Sequence, residues 1–252
     1  MRKSFYLIIL FSLIPLILSA STRSDVNIIE SSENIRYLSQ KITKEYLYLY
    51  HNPKKINLKN KLLENMKKLE ENIHAIKINT QSDESKNILN FLSYNNEEIK
   101  VLLEGKITRD NSILMLDYSE TFVEAANSIQ YLHQYDFSSE EKMLMKLKEL
   151  EYLFERVNKY YVASVLELNK TSNLQYMNLA IEKIEAILKE LKNYYYPRRV
   201  KKERTKILTH WKTNKKFLQR SQTLFIPNLL LLFTKELRSH ILKLELYHKQ
   251  NQ

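Results

Sequence analysis

Glycine and proline are almost missing from this chain, and their scarcity constrains its fold more than any other feature. Only one glycine and four prolines occur in 252 residues. Turns between strands favour these residues, so a sheet would lack the turns that it needs. Phosphate-cradling loops and dinucleotide-binding fingerprints also need glycine, because its backbone can approach a phosphate closely. The composition therefore predicts an all-α protein that has no loop for binding nucleotides.

Apolar residues recur every three or four positions between a few breaks, which predicts an elongated bundle of about eight helices. The expected helices span about 25–52, 55–79, 82–105, 110–134, 138–169, 172–195, 198–221 and 224–249. Asn52 and Pro53 end the first helix, and Pro197 ends the sixth. Ser138 and Glu141 form a capping-box pattern at the start of the fifth.

The N-terminus has the pattern of a secretory signal peptide. Arg2 and Lys3 precede an apolar stretch at 5–18, and small residues follow at 19–21. We expect residues 1–21 to be removed on export to the periplasm, with an uncleaved N-terminal membrane anchor as the alternative. The chain has no cysteine, which excludes disulfides and a lipid-modified cysteine, so packing alone must hold the fold together.

The helices also show traces of an internal repeat. An offset of 119 residues aligns 87–99 with 206–218, and an offset of 118 aligns 63–76 with 181–194. Two organisations remain open: two four-helix units, 22–135 and 136–252, or one long bundle built from both halves. In either case the second half is a candidate degenerate repeat of the first.

The first predicted helix carries two separate stripes. One stripe is apolar and faces the core. The other, about 100–140° away at 100° per residue, consists of Arg36, Ser39, Gln40 and Thr43. Arginine offers a planar fork of donors that suits oxyanions, and the neutral side chains can add hydrogen bonds. These four residues are candidates for a small-anion site, and the alternative is a polar face packed on a neighbouring helix.

The stretch "RYLSQKITKEYL" at 36–47 resembles the motif of the PilJ-type sensor family, the periplasmic domain of type IV pili methyl-accepting chemotaxis transducers. That family is related to the sensor domains of nitrate/nitrite sensor kinases. The positions that fit are Arg36, Leu38, Ser39, Gln40 and Lys44. The sequence departs from the family at Glu30 and Glu33, where the pattern has Asn and Gly. A carboxylate at this distance would pair with Arg36 or repel an anion.

The resemblance implies a ligand-sensing helical domain outside the cytoplasm. In the nitrate-sensing relatives the motif arginine binds the anion at a dimer interface, which makes Arg36 the residue to carry over and a homodimer through the first helix the expected assembly. A transducer also needs an output domain. We therefore expect a stand-alone sensing or accessory protein that signals through a partner, such as a sensor kinase or a chemoreceptor.

A second candidate site is the basic segment "YYYPRRVKKERTK" at 194–206. Its patch consists of Arg198, Arg199, Lys201, Lys202 and Arg204, close to a single carboxylate, Glu203. Cations at a helix start oppose the helix macrodipole, so this charge has a local cost. The segment predicts either contact with an acidic partner or membrane surface, as in a structural protein of the cell envelope, or a solvated connection between helices. In an exported chain a nucleic-acid partner is not expected, despite the net charge of +11.

Catalytic signatures are missing from the sequence. It has no cysteine nucleophile, no Gly-x-Ser-x-Gly elbow and no His-Glu-x-x-His pattern, and its six histidines are scattered. Glu236 and His240 have a spacing that a metal could use, but a lone pair of this kind is usually a surface contact. We therefore predict a protein that is not an enzyme and needs no metal or cofactor.

Overall fold

A computed structural model describes residues 2–220 and 227–251, without the side chains of 2–22, 56, 219–220 and 227–228. The described part contains eight helices and no strand, which confirms the predicted fold class. The helices are α1 (Arg2–His51), α2 (Ile56–Asn79), α3 (Asp83–Glu104), α4 (Arg109–Leu132), α5 (Ser139–Val165), α6 (Lys170–Asn193), α7 (Arg198–Arg220) and α8 (Pro227–Lys249).

The expected signal peptide lies outside the residues whose side chains are described. α1 begins at Arg2, upstream of the predicted start near residue 25. Within the part of the chain that has described side chains, no helix is long and apolar enough to cross a membrane.

Local capping explains where several helices begin and end. The Ser138 hydroxyl accepts from the Glu141 backbone, and the Glu141 carboxylate accepts from the Ser138 backbone, which confirms the predicted capping box. α5 ends at Val165, four residues before the predicted position. Glu167 and Asn169 adopt left-handed conformations there, with φ of 57° and 51°, and a helix cannot continue through them.

The helices form two rings of four that share one interface. α1 packs on α2 and α4, and α3 contacts both α2 and α4, which closes the first ring. α5, α6, α7 and α8 close a second ring with the same connections. The rings meet where α1 packs on α5. These two helices run parallel, because Asn34 contacts Lys148 and Lys44 contacts Glu155 further along both helices.

One end of the bundle is referred to below as the N-terminal end. It contains the start of the described side chains of α1, the α2–α3, α4–α5 and α6–α7 connections, and the end of α8. Three contacts bring these elements together: Ser24 Oγ to Asn79 O (2.8 Å), Tyr194 Oη to Glu140 Oε1 (2.5 Å) and Lys249 Nζ to Glu30 Oε2 (2.9 Å).

Equivalent polar contacts recur in the two rings at an offset of 115 residues. A carboxylate on the second helix accepts from two side chains of the third: Glu70 from Asn96 and Lys100, and Glu185 from Trp211 and Lys215. At the N-terminal end of each ring, a carboxylate of the first helix meets a histidine at the end of the fourth: Asp25 with His133 (2.9 Å) and Glu140 with His248 (2.6 Å). This register differs by about one helical turn from the offsets of 118 and 119 found in the sequence.

Candidate functional site

Arg36 lies at the interface between the two rings, and its charge is neutralised there. It is only 8 % exposed. Its Nη1 donates to Glu33 Oε1 at 2.7 Å, and its guanidinium stacks 4.2 Å above the Tyr152 ring. Gln130 Nε2 donates to the same Glu33 oxygen at 2.8 Å. Burial opposes the charge of Arg36, but Glu33 and Tyr152 outweigh it, and the pKa of Arg36 is raised.

Ser39, Gln40 and Thr43 do not gather around the Arg36 guanidinium. Gln40 Nε2 donates to the Ser119 carbonyl at 3.2 Å, and Thr43 Oγ1 donates to the Met115 carbonyl at 3.0 Å. Both carbonyls belong to α4. Ser39 Oγ donates to the Arg36 carbonyl within α1 at 2.9 Å. All three residues are buried, so this stripe packs on a neighbouring helix, which is the structural alternative that the sequence left open.

The second ring carries a charge-swapped counterpart of the Glu33–Arg36 pair. At the 115-residue offset, Glu33 corresponds to Lys148 and Arg36 to Glu151. Arg238 Nε of α8 donates to Glu151 Oε1 at 3.1 Å. Residues of opposite charge thus stand three positions apart on both central helices, but Glu151 pairs with α8 within its own ring and Lys148 Nζ donates across the interface to Asn34 at 3.4 Å.

Two further buried lysines cross the same region. Lys44 Nζ lies 2.5 Å from Glu155 Oε2 and joins α1 to α5. Its counterpart Lys159 lies 2.5 Å from Glu120 Oε1 and 2.8 Å from Ser119 Oγ, and so joins α5 to α4. Burial lowers the pKa of Lys159 to about 8, and Glu120 opposes that shift.

The predicted basic patch at the start of α7 is exposed, with one exception. The side chains of Arg198, Arg199, Lys201 and Lys202 are exposed, and none forms an ion pair with any described residue. Arg204 has another role. Its Nη1 donates to the Lys192 carbonyl (3.0 Å) and to the Tyr194 carbonyl (2.9 Å), so it closes the C-terminus of α6.

The basic surface extends further than the sequence analysis predicted. α7 carries ten lysine and arginine residues against one glutamate, most of the chain's net charge of +11. The Glu203 carboxylate is itself bound by His240 at 2.6 Å and Lys243 at 3.3 Å. A groove of about 630 Å³ between α6 and α7 adds Lys189, Lys192, Lys212 and Lys216. A count of charges for each predicted helix would have shown this extension.

The equivalent helix of the first ring shows that the fold does not require this charge. α3 occupies the same position between the second and fourth helices of its ring, yet it carries five acidic residues and only two lysines. Both helices bury the same kind of stripe: Leu92, Asn96, Ile99 and Leu103 in α3, and Ile207, Trp211, Asn214 and Leu218 in α7. The basic face of α7 is therefore additional to what packing needs.

A cleft of about 550 Å³ separates the start of α7 from the end of α8 at the N-terminal end. Its lining combines apolar and charged side chains: Val200, Leu246 and Tyr247 with Arg199, Lys202, Lys243 and Glu203. Leu246 is 56 % exposed. Apolar and cationic side chains thus share one concave surface.

One histidine cluster has the residue types of a catalytic triad but lacks access. His133 Nδ1 lies 2.9 Å from Asp25 Oδ1, and its Nε2 lies 3.1 Å from the Ser85 and Thr80 hydroxyls. Ser85 is fully buried and Thr80 is 2 % exposed, so no substrate can reach either hydroxyl. The cluster joins α1 and α4 to the α2–α3 connection.

The corresponding cluster in the second ring joins α5 and α8 to the α6–α7 connection. His248 Nδ1 lies 2.6 Å from Glu140 Oε2, and its Nε2 lies 2.7 Å from Tyr196 Oη. Elsewhere in the described residues, Glu236 pairs with His210 and His240 with Glu203, and no group of three ligating side chains could hold a metal.

Comparison with known proteins does not add a family to this description. No protein-family model, curated protein or solved structure matches the chain.

Proposed function

We propose that this protein is a non-enzymatic interaction protein of the cell envelope that holds a polyanionic partner on the basic face of α7. The observation that carries the proposal is the contrast between α7 and α3. The two helices take equivalent positions in their rings, but only α7 carries ten cations against one carboxylate. Because α3 packs in the same position without these cations, packing does not explain the charge on α7. Binding of a negatively charged partner does explain it.

The position of the charge within α7 also supports binding. Arg198, Arg199, Lys201 and Lys202 crowd the first turn and a half of the helix, where the macrodipole is positive. No acidic residue occupies the first turn. A local electrostatic cost of this kind is repaid when a negatively charged partner covers the surface.

The test is retention of the purified chain on immobilised polyglutamate over a salt gradient. We expect R198E/R199E/K201E/K202E to elute at much lower salt than the wild type, because four cations have been reversed. The matched control, K54E/K55E/K59E/K61E, reverses four exposed lysines at the opposite end of the bundle. Equal losses in the two variants, or no retention of the wild type, would contradict a site on α7.

Recognition of a small oxyanion at Arg36 is the second candidate function, in line with the PilJ-like motif. Arg36 Nε and Glu33 Oε2 are both buried without a hydrogen-bond partner among the described residues. Glu33 itself supplies the carboxylate next to the guanidinium. An exogenous anion would have to displace that carboxylate, and the protein would then signal through a sensor kinase, a chemoreceptor or another partner.

A thermal-shift screen with nitrate, nitrite, sulfate and phosphate tests this second candidate. An anion present at a hundred times its dissociation constant adds about 2.7 kcal/mol of stability. We expect any such shift to disappear in Arg36→Ala and to grow in Glu33→Gln, in which the competing charge is removed. If no anion stabilises the wild type or Glu33→Gln, Arg36 has only a packing role.

A further inference from the structure

We propose that the N-terminal end of the bundle lies on an anionic phospholipid surface, with the start of α7 as its contact. This inference rests on the proposed function and names the partner's chemistry. Four exposed cations gather at this end: Arg198, Arg199, Lys201 and Lys202. Each lysine or arginine near an anionic bilayer strengthens binding, because lipid headgroups concentrate negative charge there.

Exposed apolar groups next to the cations favour a bilayer over an acidic protein. Tyr195 directly precedes the patch and is 86 % exposed. Leu246 of α8 is exposed at the cleft, which the half-buried Tyr247 and Val200 also line. Aromatic and aliphatic side chains surrounded by cations are typical of surfaces that sit at the boundary between lipid headgroups and acyl chains.

The path of the chain places the same surface towards a membrane. Asp25 and Glu30 of α1 contact His133 and Lys249 at this end. The apolar stretch at 5–18 ends five residues before Arg23. A chain of five residues spans at most about 18 Å. Whenever that stretch is in a bilayer, during export or as a retained anchor, the N-terminal end is the part of the bundle nearest to the lipid.

The other charges at this end define which side makes contact. Asp83, Glu84 and Asp136 are exposed at the same end but belong to the first ring and to the connection between the rings. An anionic surface repels them and attracts the α6–α7 connection. We therefore expect a tilted contact through the second ring.

The test uses the full chain reconstituted in nanodiscs that contain either phosphatidylcholine alone or phosphatidylcholine with phosphatidylglycerol. Because the chain has no cysteine, a single one can carry an environment-sensitive fluorophore. Gln250→Cys places it beside the cleft, and Thr213→Cys places it about 20 Å further along α7 at 1.5 Å per residue. We expect a blue shift at position 250 only with phosphatidylglycerol, and none at 213.

Two variants complete the experiment. R198E/R199E/K201E/K202E should abolish the shift at 250 and lower the partitioning of the purified chain onto phosphatidylglycerol vesicles by about 1,000-fold or more, whereas K54E/K55E/K59E/K61E should retain both. Equal shifts at 250 and 213, or a shift that does not need phosphatidylglycerol, would overturn the inference. Retention on polyglutamate without any response to lipid would also overturn it and leave the proposed function intact, and loss of both would overturn the two together.

Discussion

At the scale of single residues, ionisable side chains are buried at the interface between the two rings. A buried ion pair stabilises a protein only modestly relative to well-packed apolar residues, but removing one partner leaves an uncompensated charge in a poorly solvated site. Lys44 and Glu155 are an example, since their side chains are only 3 % and 4 % exposed. They are better described as fixing how α1 and α5 align than as a large source of stability.

Single and paired substitutions at Lys44 and Glu155 separate these effects. Lys44→Met should lower the free energy of unfolding by about 3–5 kcal/mol, because it strands the Glu155 charge. K44M/E155M should recover most of that loss. Urea denaturation measures both, with Lys68→Met in the exposed Glu64–Lys68 pair as a control that leaves the midpoint unchanged. A double variant less stable than Lys44→Met would contradict the expectation.

Glu151 gives the protein a specific pH dependence. Burial and the nearby Glu245 carboxylate together raise the pKa of Glu151 to about 7, against the opposing effect of Arg238. The folded state therefore holds a proton that the unfolded state releases above its ordinary pKa of 4.5. The associated stability is complete below pH 4.5 and is lost as the pH rises towards 7.

Glu151→Gln tests that dependence. The variant should lack this loss, so the difference in unfolding free energy between wild type and variant should fall by about 2 kcal/mol from pH 5 to pH 8. Urea denaturation at several pH values measures it, and the difference also cancels opposite contributions such as that of His248, whose pKa is lowered by burial. A difference that stays constant with pH would mean that Glu151 keeps an ordinary pKa.

At the scale of single helices, α7 combines an apolar stripe that stabilises its packing with a cationic first turn that destabilises the helix. Arg198, Arg199 and Lys201 face the positive end of the macrodipole, and no acidic residue in the first turn compensates them. A helix selected for stability alone would carry aspartate or glutamate at these positions. The same substitutions should therefore change stability and partner binding in opposite directions, so the two effects can be measured separately.

Charge reversal at the start of α7 should weaken binding and strengthen the fold together. For R198E/R199E/K201E we expect stability to increase by about 0.3–1 kcal/mol per residue at low salt. Thermal melting at low and high salt measures the gain, which should shrink as salt screens it. Destabilisation by the reversal would show instead that these cations hold the helix in place.

Helix periodicity made most elements predictable and also limited what could be predicted. Seven helix starts and most ends lie within a few residues of the expected positions because breaks and caps are local. The repeat register was less accessible, since sliding one amphipathic helix by a turn along another keeps apolar residues aligned. Pairs such as Glu70–Lys100 and Glu185–Lys215 define the offset of 115. Each pair joins two helices, so it can be recognised only once the packing of the helices is known.

The candidate site could also be predicted from the sequence only in part. The sequence identified the Arg36 stripe and the start of α7 by residue type. It did not show that the stripe packs on α4, because a polar face against a helix and one against a ligand use the same side chains. It also did not show that α3 and α7 are equivalent. That equivalence is the reason for assigning a function to the charge on α7.

At the scale of the whole molecule, α5 of the same chain covers the face of α1 that carries Arg36. α1 and α5 run parallel, and Arg36 lies against Tyr152 across their interface. From Ile28 to Leu49, every side chain of α1 is buried or half-buried within the chain. α1 therefore has no exposed side chain along this stretch that could contact a second copy without a rearrangement of the bundle, and the homodimer stays a prediction.

The chain should accordingly behave as two halves that need one another. If it is cut between Gln134 and Asp136, in the α4–α5 connection, each half exposes one apolar face and one member of the Lys44–Glu155 pair. We expect each half alone to aggregate or to remain poorly folded, and the two halves to form a 1:1 complex when refolded together. Circular dichroism and sedimentation of the separate and mixed halves measure this behaviour. Two halves that fold independently, with no affinity for each other, would show that the α1–α5 interface joins two autonomous domains.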